Sequence, residues 1–74
     1  MNAAIEKQIG EKIKNLRIKA NLTQEQLAAK LQLNGCDVTR STVAQIEVGQ
    51  RHLYVDEIIL IAKILNVTYN QILD

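Results

Sequence analysis

The 74 residues contain no proline, a single cysteine and a single histidine. One cysteine excludes an internal disulfide, and we expect a reducing, cytoplasmic setting. One cysteine with one histidine does not supply the ligands of a metal site. No apolar run approaches the roughly 20 residues that span a bilayer, so we expect no membrane segment. The opening MNAAIEK also lacks the apolar core of a signal peptide.

Cys36 and His52 are the one pair from which a nucleophile and its base could be built. Such a base must be oriented by a third group, and the sequence shows no such partner, so we expect no catalysis and no cofactor. Helix 2 is expected to end at Asn34-Gly35, where Gly35 can take the left-handed conformation. Cys36 would then pack back near Leu31 in a structural role, with a redox role as the alternative.

Charge is distributed unevenly along the chain, although the net charge is only +1. Residues 1–30 hold six Lys/Arg against three glutamates, and residues 31–53 are balanced. Residues 54–74 hold one lysine against three acidic residues. A basic front half and an acidic back half suggest a face for an anionic partner. A mixed solvated surface explains the same pattern equally well.

Every long segment has helical periodicity, which predicts one all-α domain of five helices over residues 1–74. Helix 1 is expected over Ile5–Ala20 and helix 4 over Val55–Leu65. The predicted inward stripe of helix 1 is Ile5, Ile9, Ile13, Leu16 and Ala20. The predicted inward residues of helix 4 are Ile58, Ile61, Ala62 and Leu65. Gly10 lies inside helix 1, where it costs about 1 kcal/mol relative to alanine.

Helices 2, 3 and 5 are each expected to begin at a threonine N-cap: Thr23, Thr39 and Thr68. An apolar residue precedes each cap, and another follows four positions after it, as in the hydrophobic staple. The three pairs are Leu22 with Leu27, Val38 with Val43, and Val67 with Ile72. Gln26 and Gln71 complete capping boxes. Each cap contributes about 1 kcal/mol.

Helix 3 has an outward face of small and polar residues. At about 100° per residue, Val43 and Ile46 face the core. The outward residues are Ser41, Ala44, Gln45 and Val48, with Arg40 at the flank of the first turn. Such a face fits the major groove of DNA, which is about 12 Å wide. An ordinary solvated face usually carries more Glu and Lys.

These helices resemble the phage repressor and Cro-type helix-turn-helix domains. The residues that carry the resemblance are Gln24, Leu27, Ala28, Leu31, Val43, Ile46, Glu47, Gly49 and Arg51. The later IAKILNVTYNQIL is similar to the closing segment of the family. The resemblance extends from about Ile13 to the C-terminus. It implies a compact lambda-repressor-like fold in which helices 2 and 3 form the helix-turn-helix.

The resemblance also implies which residues bind DNA: Gln24, Thr39, Arg40, Ser41, Gln45 and Arg51. In the family pattern, Gln24 clamps a phosphate at the start of helix 2. Thr39, Arg40, Ser41 and Gln45 match base-reading positions, and we expect Arg51 to contact phosphate. Arg17 matches an arginine that pairs with the glutamate corresponding to Glu47.

Three features depart from the family pattern. The connection Gln32–Val38 is several residues longer than the minimal turn. It leaves open whether helices 2 and 3 keep their mutual angle or dock differently. Val48 replaces a residue that is commonly polar, and His52-Leu53 lacks the proline common after the arginine.

The leading functional hypothesis is sequence-specific binding of double-stranded DNA by a transcriptional regulator of the repressor type. Useful affinity would need a homodimer on two half-sites about 34 Å apart. Candidate residues for the dimer surface, or alternatively for partial burial in the core, are Tyr54, Ile59, Leu60, Tyr69 and Leu73. Two other hypotheses remain open. One is an antitoxin with a toxin partner, and the other is a protein-binding domain that kept the fold without DNA contact.

Overall fold

Five α-helices and no strand make up residues 3–74, the part of the chain described by the computed structural model. The helices are α1 (Ala3–Lys19), α2 (Gln24–Leu33), α3 (Arg40–Glu47), α4 (Val55–Leu65) and α5 (Tyr69–Leu73). The five-helix prediction is therefore confirmed, with α4 at its predicted bounds. The single-domain prediction for residues 1–74 includes Met1 and Asn2, which lie outside the described residues. None of the five helices combines the length and hydropathy needed to traverse a bilayer.

Threonine caps begin three of the helices, as predicted. The Thr23 hydroxyl accepts the Gln26 N–H at 3.0 Å, and the Gln26 side chain accepts the Thr23 N–H at 2.8 Å. Thr68 and Gln71 form the same capping box at the start of α5. At Thr39 the sequence predicted the cap alone, and the structure adds a box with Thr42 at 3.3 and 3.4 Å. These longer distances make it the weakest of the three boxes.

Four of the helices end in a residue with left-handed backbone conformation, with φ between 57° and 84°. These residues are Asn21, Gly35, Gly49 and Asn66. After each one, the next N–H returns to a carbonyl five residues earlier, which is the Schellman motif. At the end of α2, Cys36 N–H donates to the Leu31 carbonyl at 2.9 Å, which holds Cys36 beside Leu31, where the sequence predicted it. Helices α2 and α3 are thus capped at both ends by local interactions.

The core is formed by buried apolar residues from all five helices, and α3 packs against both α1 and α2. Helix α5 returns to pack against α1 and α4, giving a compact body with a radius of gyration of 10.8 Å. All four residues predicted to face inward from α4 are buried, from Ile58 to Leu65.

The predicted inward stripe of α1 is partly wrong. Ile9 and Ile13 are buried and Leu16 is half-buried, but Ile5 is 44% exposed and Ala20 is exposed. The inward face is centred on Ile13 and extends toward Gly10 and Arg17, and Ile5 lies about 80° away from Ile13 around the helix. Ala20 lies beyond the last residue of α1, in the turn that reverses the chain.

The backbones of α1 and α3 approach each other closely where α1 crosses the end of α3. A Cβ atom at Gly10 would lie 2.3 Å from the Ile46 carbonyl oxygen and 2.8 Å from the Glu47 carbonyl oxygen. A Cβ atom at Gly49 would lie 2.8 Å from the Cα of Lys7. Two glycines therefore permit a close approach that places Glu47 directly against α1.

Candidate nucleic-acid interface

A buried ion pair joins α1 to the end of α3. Arg17 Nε donates to Glu47 Oε2 at 2.6 Å, and Nη2 donates to Oε1 at 3.1 Å. The side chains are only 9% and 1% exposed. Arg17 Nη1 also donates to the Leu22 carbonyl at 2.7 Å, in the turn before α2. The predicted pair is confirmed, and it ties three segments together around α3.

Gln24 takes part in the same network. Its Nε2 donates to Glu47 Oε1 at 3.1 Å, and its side chain is half-buried at the start of α2. An amide nitrogen carries two N–H donors, so one remains for another acceptor such as a phosphate oxygen. The phosphate contact of Gln24 stays a prediction, while its contact with Glu47 was not anticipated from the sequence.

The outward face of α3 is as predicted at Ser41, Gln45 and Val48, whereas Ala44 is half-buried. Val43, Ile46 and Glu47 are buried, whereas the four predicted base-reading residues are exposed. Those four are Thr39, Arg40, Ser41 and Gln45. The Arg40 side chain makes no hydrogen bond or ion pair with any residue of the described range 3–74. Its guanidinium is therefore available to an outside acceptor.

Two shallow grooves flank the start of α3. The first is lined by Arg17, Leu22, Thr23, Gln24, Glu25 and Arg40. The second is lined by Glu25, Ala28, Ala29, Gln32, Thr39 and Arg40. The two grooves share Glu25 and Arg40, and three of the six predicted DNA-binding residues line them: Gln24, Thr39 and Arg40.

The Arg51 side chain, unlike that of Arg40, forms hydrogen bonds within the protein. Its Nη1 donates to Glu57 Oε1 at 2.6 Å and to the His52 carbonyl at 3.0 Å. The hydrogen bond to Glu57 raises the pKa of Arg51. Burial alone would raise the pKa of Glu57, but hydrogen bonds from Arg51 and the Tyr54 N–H outweigh it and lower that pKa. Arg51 therefore braces the start of α4, a role that the sequence did not reveal.

Cys36 lies beside this ion pair, with its Sγ 4.0 Å from Glu57 Oε2. Burial raises the pKa of the Cys36 thiol, and the nearby Glu57 carboxylate raises it further. The thiol is thus less readily ionised than an ordinary one, which disfavours nucleophilic chemistry. Within residues 3–74, the His52 ring contacts Glu6 and Tyr54 rather than Cys36.

The long connection between α2 and α3 is held at both ends. Cys36 packs against the core after the Schellman motif, and Val38 is 2% exposed. Gln32 Nε2 donates to the Val38 carbonyl at 2.6 Å, directly before the cap of α3. The additional residues are therefore accommodated in a connection that is hydrogen-bonded and packed at both ends and that leads into the cap of α3.

Replacing Thr39 with alanine is expected to lower the free energy of unfolding by about 1 kcal/mol, because α3 loses its cap. Thr39→Asp restores a capping oxygen and should recover most of that stability. Aspartate should nevertheless weaken DNA binding, since its charge repels phosphate. Urea unfolding and DNA titration of both variants test this. Normal DNA binding by Thr39→Asp would show that Thr39 does not lie at the DNA surface.

Known proteins are similar to this one over most of the chain. A helix-turn-helix family model matches residues 13–72. The control protein C.BamHI of Bacillus amyloliquefaciens is 36% identical over 66 residues, covering 88% of this chain and 75% of that protein.

Two solved structures have the same fold. The restriction-modification controller protein C.AhdI of Aeromonas hydrophila matches with a TM-score of 0.81 and 28% identity, covering 93% of this chain and 97% of that one. The DNA-binding domain of BldD matches with a TM-score of 0.83 over 100% of both chains, at 20% identity. The fold is thus retained around the longer α2–α3 connection. The chain therefore belongs to the helix-turn-helix family of DNA-binding transcriptional regulators, and it is not an enzyme.

Proposed function

We propose that this protein binds a specific DNA operator with α3 in the major groove and represses transcription from it. The observation that carries the proposal is the exposed, unpartnered Arg40 at the first turn of α3, within residues 3–74. The opposite side of the same helix is locked to α1 by the Arg17–Glu47 pair. A rigidly held helix with a free arginine at its N-terminal end suits base recognition, because recognition helices meet base edges there.

The relatives indicate which kind of regulation to test first. One is a control protein and another is a restriction-modification controller. We infer that this protein also controls a small genetic unit of that kind. For a bacterial regulator the operator lies in the cytoplasm, where we place this protein.

A homodimer on two half-sites is part of the proposal, since one such domain buries little surface on DNA. Four of the five candidate dimer residues are exposed: Tyr54, Ile59, Tyr69 and Leu73. Leu60 instead packs partly against the core, so it contributes less to any dimer surface. Aromatic and aliphatic residues exposed on α4 and α5 support a second copy as the partner.

Selection of duplexes from a random pool tests operator binding and dimerisation together. We expect a palindromic consensus with half-sites one helical turn apart. Failure to enrich any sequence, despite a folded protein, would contradict the proposal and favour a protein-binding role. A toxin that copurifies from the native host would support the antitoxin alternative.

Arg40→Ala is expected to weaken binding and to relax the preference at one base pair of each half-site. The reason is that arginine bonds guanine O6 and N7 together, which is worth about 1–3 kcal/mol of discrimination. Titrations against single-base variants of the selected operator, at several salt concentrations, measure this. Unchanged preference at every position would contradict base reading by Arg40.

Arg51→Ala serves as the comparison for a phosphate-binding arginine. It should reduce binding to all sequences alike and lower the salt dependence by about one unit per site. Because Arg51 also braces Glu57, the folded fraction must be measured alongside. A base-specific loss would assign Arg51 to base reading instead.

A further inference from the structure

Two residues of opposite charge are shared by the two grooves beside the start of α3. Glu25 from α2 and Arg40 from α3 line both grooves. Both are exposed, and neither side chain forms a hydrogen bond or ion pair with the part of the chain from residue 3 to residue 74. The grooves between α2 and α3 therefore bring together a carboxylate and a guanidinium that have no partner in the described residues.

The chemistry of a guanidinium gives this arrangement a use. Its five N–H donors lie in one plane, and guanine takes only two of them through O6 and N7. The remaining donors need acceptors once the groove excludes water, since an unsatisfied donor is costly. A carboxylate is the acceptor that best matches the planar fork of arginine. Among the residues that line the two grooves, only Glu25 carries one.

We propose that Glu25 is a positioning residue for base recognition by Arg40. When DNA binds, its carboxylate accepts hydrogen bonds from the edge of the guanidinium that faces away from the base. The opposite edge is thereby directed at guanine. This inference rests on the proposed base-reading role of Arg40.

The same carboxylate should also weaken binding to DNA. The start of α2 is where a helix-turn-helix meets the DNA backbone, and a negative charge there opposes phosphate. Glu25 should therefore lower affinity for DNA of any sequence while it raises discrimination at one base pair. Opposite effects on affinity and on base preference distinguish positioning from plain charge repulsion.

The test uses Glu25→Ala, Arg40→Ala and the double variant, titrated against the duplex enriched from a random pool, its single-base variants and an unrelated duplex. Glu25→Ala should bind the unrelated duplex several-fold more tightly. Its preference at the Arg40 base pair should fall about threefold to tenfold, part of the discrimination that a bidentate arginine provides. With Arg40→Ala present, Glu25→Ala should cause no further loss of preference. Glu25→Gln, which keeps an acceptor oxygen, should fall between the wild type and Glu25→Ala.

Glu11→Ala is the matched control, because it removes an exposed acid from α1, away from both grooves. If Glu25→Ala changes binding to all sequences equally, the positioning role is overturned. A loss of preference that simply adds to that of Arg40→Ala overturns it as well. If Arg40→Ala itself leaves every base preference unchanged, it is the proposed function of Arg40 that fails. If only Arg40→Ala relaxes the preference, the role of Glu25 alone is refuted.

Discussion

Glu47→Ala is expected to lower the free energy of unfolding by about 3–5 kcal/mol, because it leaves a buried arginine without its partner. The Arg17 side chain is only 9% exposed, and Glu47 supplies the acceptors for two of its three hydrogen bonds. Gln24 loses its acceptor as well. In a domain whose total stability is roughly 5–15 kcal/mol, this loss is large. Urea unfolding at neutral pH measures it.

Glu25→Ala is the control for this prediction. Glu25 is exposed in the first turn of α2, where a carboxylate contributes about 0.3–1 kcal/mol through the helix dipole. Replacing both Arg17 and Glu47 with apolar residues, as in Arg17→Met with Glu47→Leu, should recover much of the loss, since no buried charge is left alone. Equal destabilisation by Glu47→Ala and Glu25→Ala would refute the structural importance of the pair.

Gly10→Ala is expected to destabilise the protein by about 1–3 kcal/mol, the usual cost of overpacking. Helix propensity alone predicts the opposite sign, because alanine is favoured over glycine by about 1 kcal/mol inside a helix. The steric term should win, since the new methyl would lie 2.3 Å from the Ile46 carbonyl oxygen, a backbone atom that cannot rotate away. The test is therefore whether urea unfolding shows the free energy of unfolding to fall or to rise in Gly10→Ala.

Asn15→Ala separates the two contributions. Asn15 is exposed in the interior of the same helix, so its replacement reports propensity alone and should stabilise by about 0.5 kcal/mol. Stabilisation by Gly10→Ala of similar size would show that α1 and α3 do not approach as closely as the structure indicates. Destabilisation should also weaken DNA binding, because α1 and the end of α3 would have to move apart.

Local sequence signals predicted much of the fold. The threonine caps at Thr23 and Thr68, the end of α2 at Gly35 and the inward face of α4 were all predicted from residues no more than a few positions apart. Such features depend on interactions within one helical turn, so the sequence around each position contains most of the information. The outward face of α3 follows in the same way from its period of 3.6 residues.

The candidate site was only partly accessible from the sequence. The resemblance to repressor domains, rather than periodicity, indicated that Arg17 pairs with Glu47, 30 positions away. Neither the resemblance nor the periodicity predicted that Arg51 is bound by Glu57 or that Gln24 contacts Glu47. An exposed arginine and an internally paired one look alike in sequence, because the difference depends on which acidic side chain the packing brings near.

The sequence by itself therefore determined where α2, α3, α4 and α5 begin, where α2 and α4 end, which faces of α3 and α4 are apolar, and to which family the chain belongs. Only the tertiary structure decided how α1 meets α3. The face of α1 that turns inward includes Gly10 rather than Ile5, because the depth of a helix crossing depends on side-chain volume at both helices together. That crossing places Glu47 beside Arg17 and leaves Arg40 exposed at the other end of α3. No signal within a single helix reports a distance between two helices.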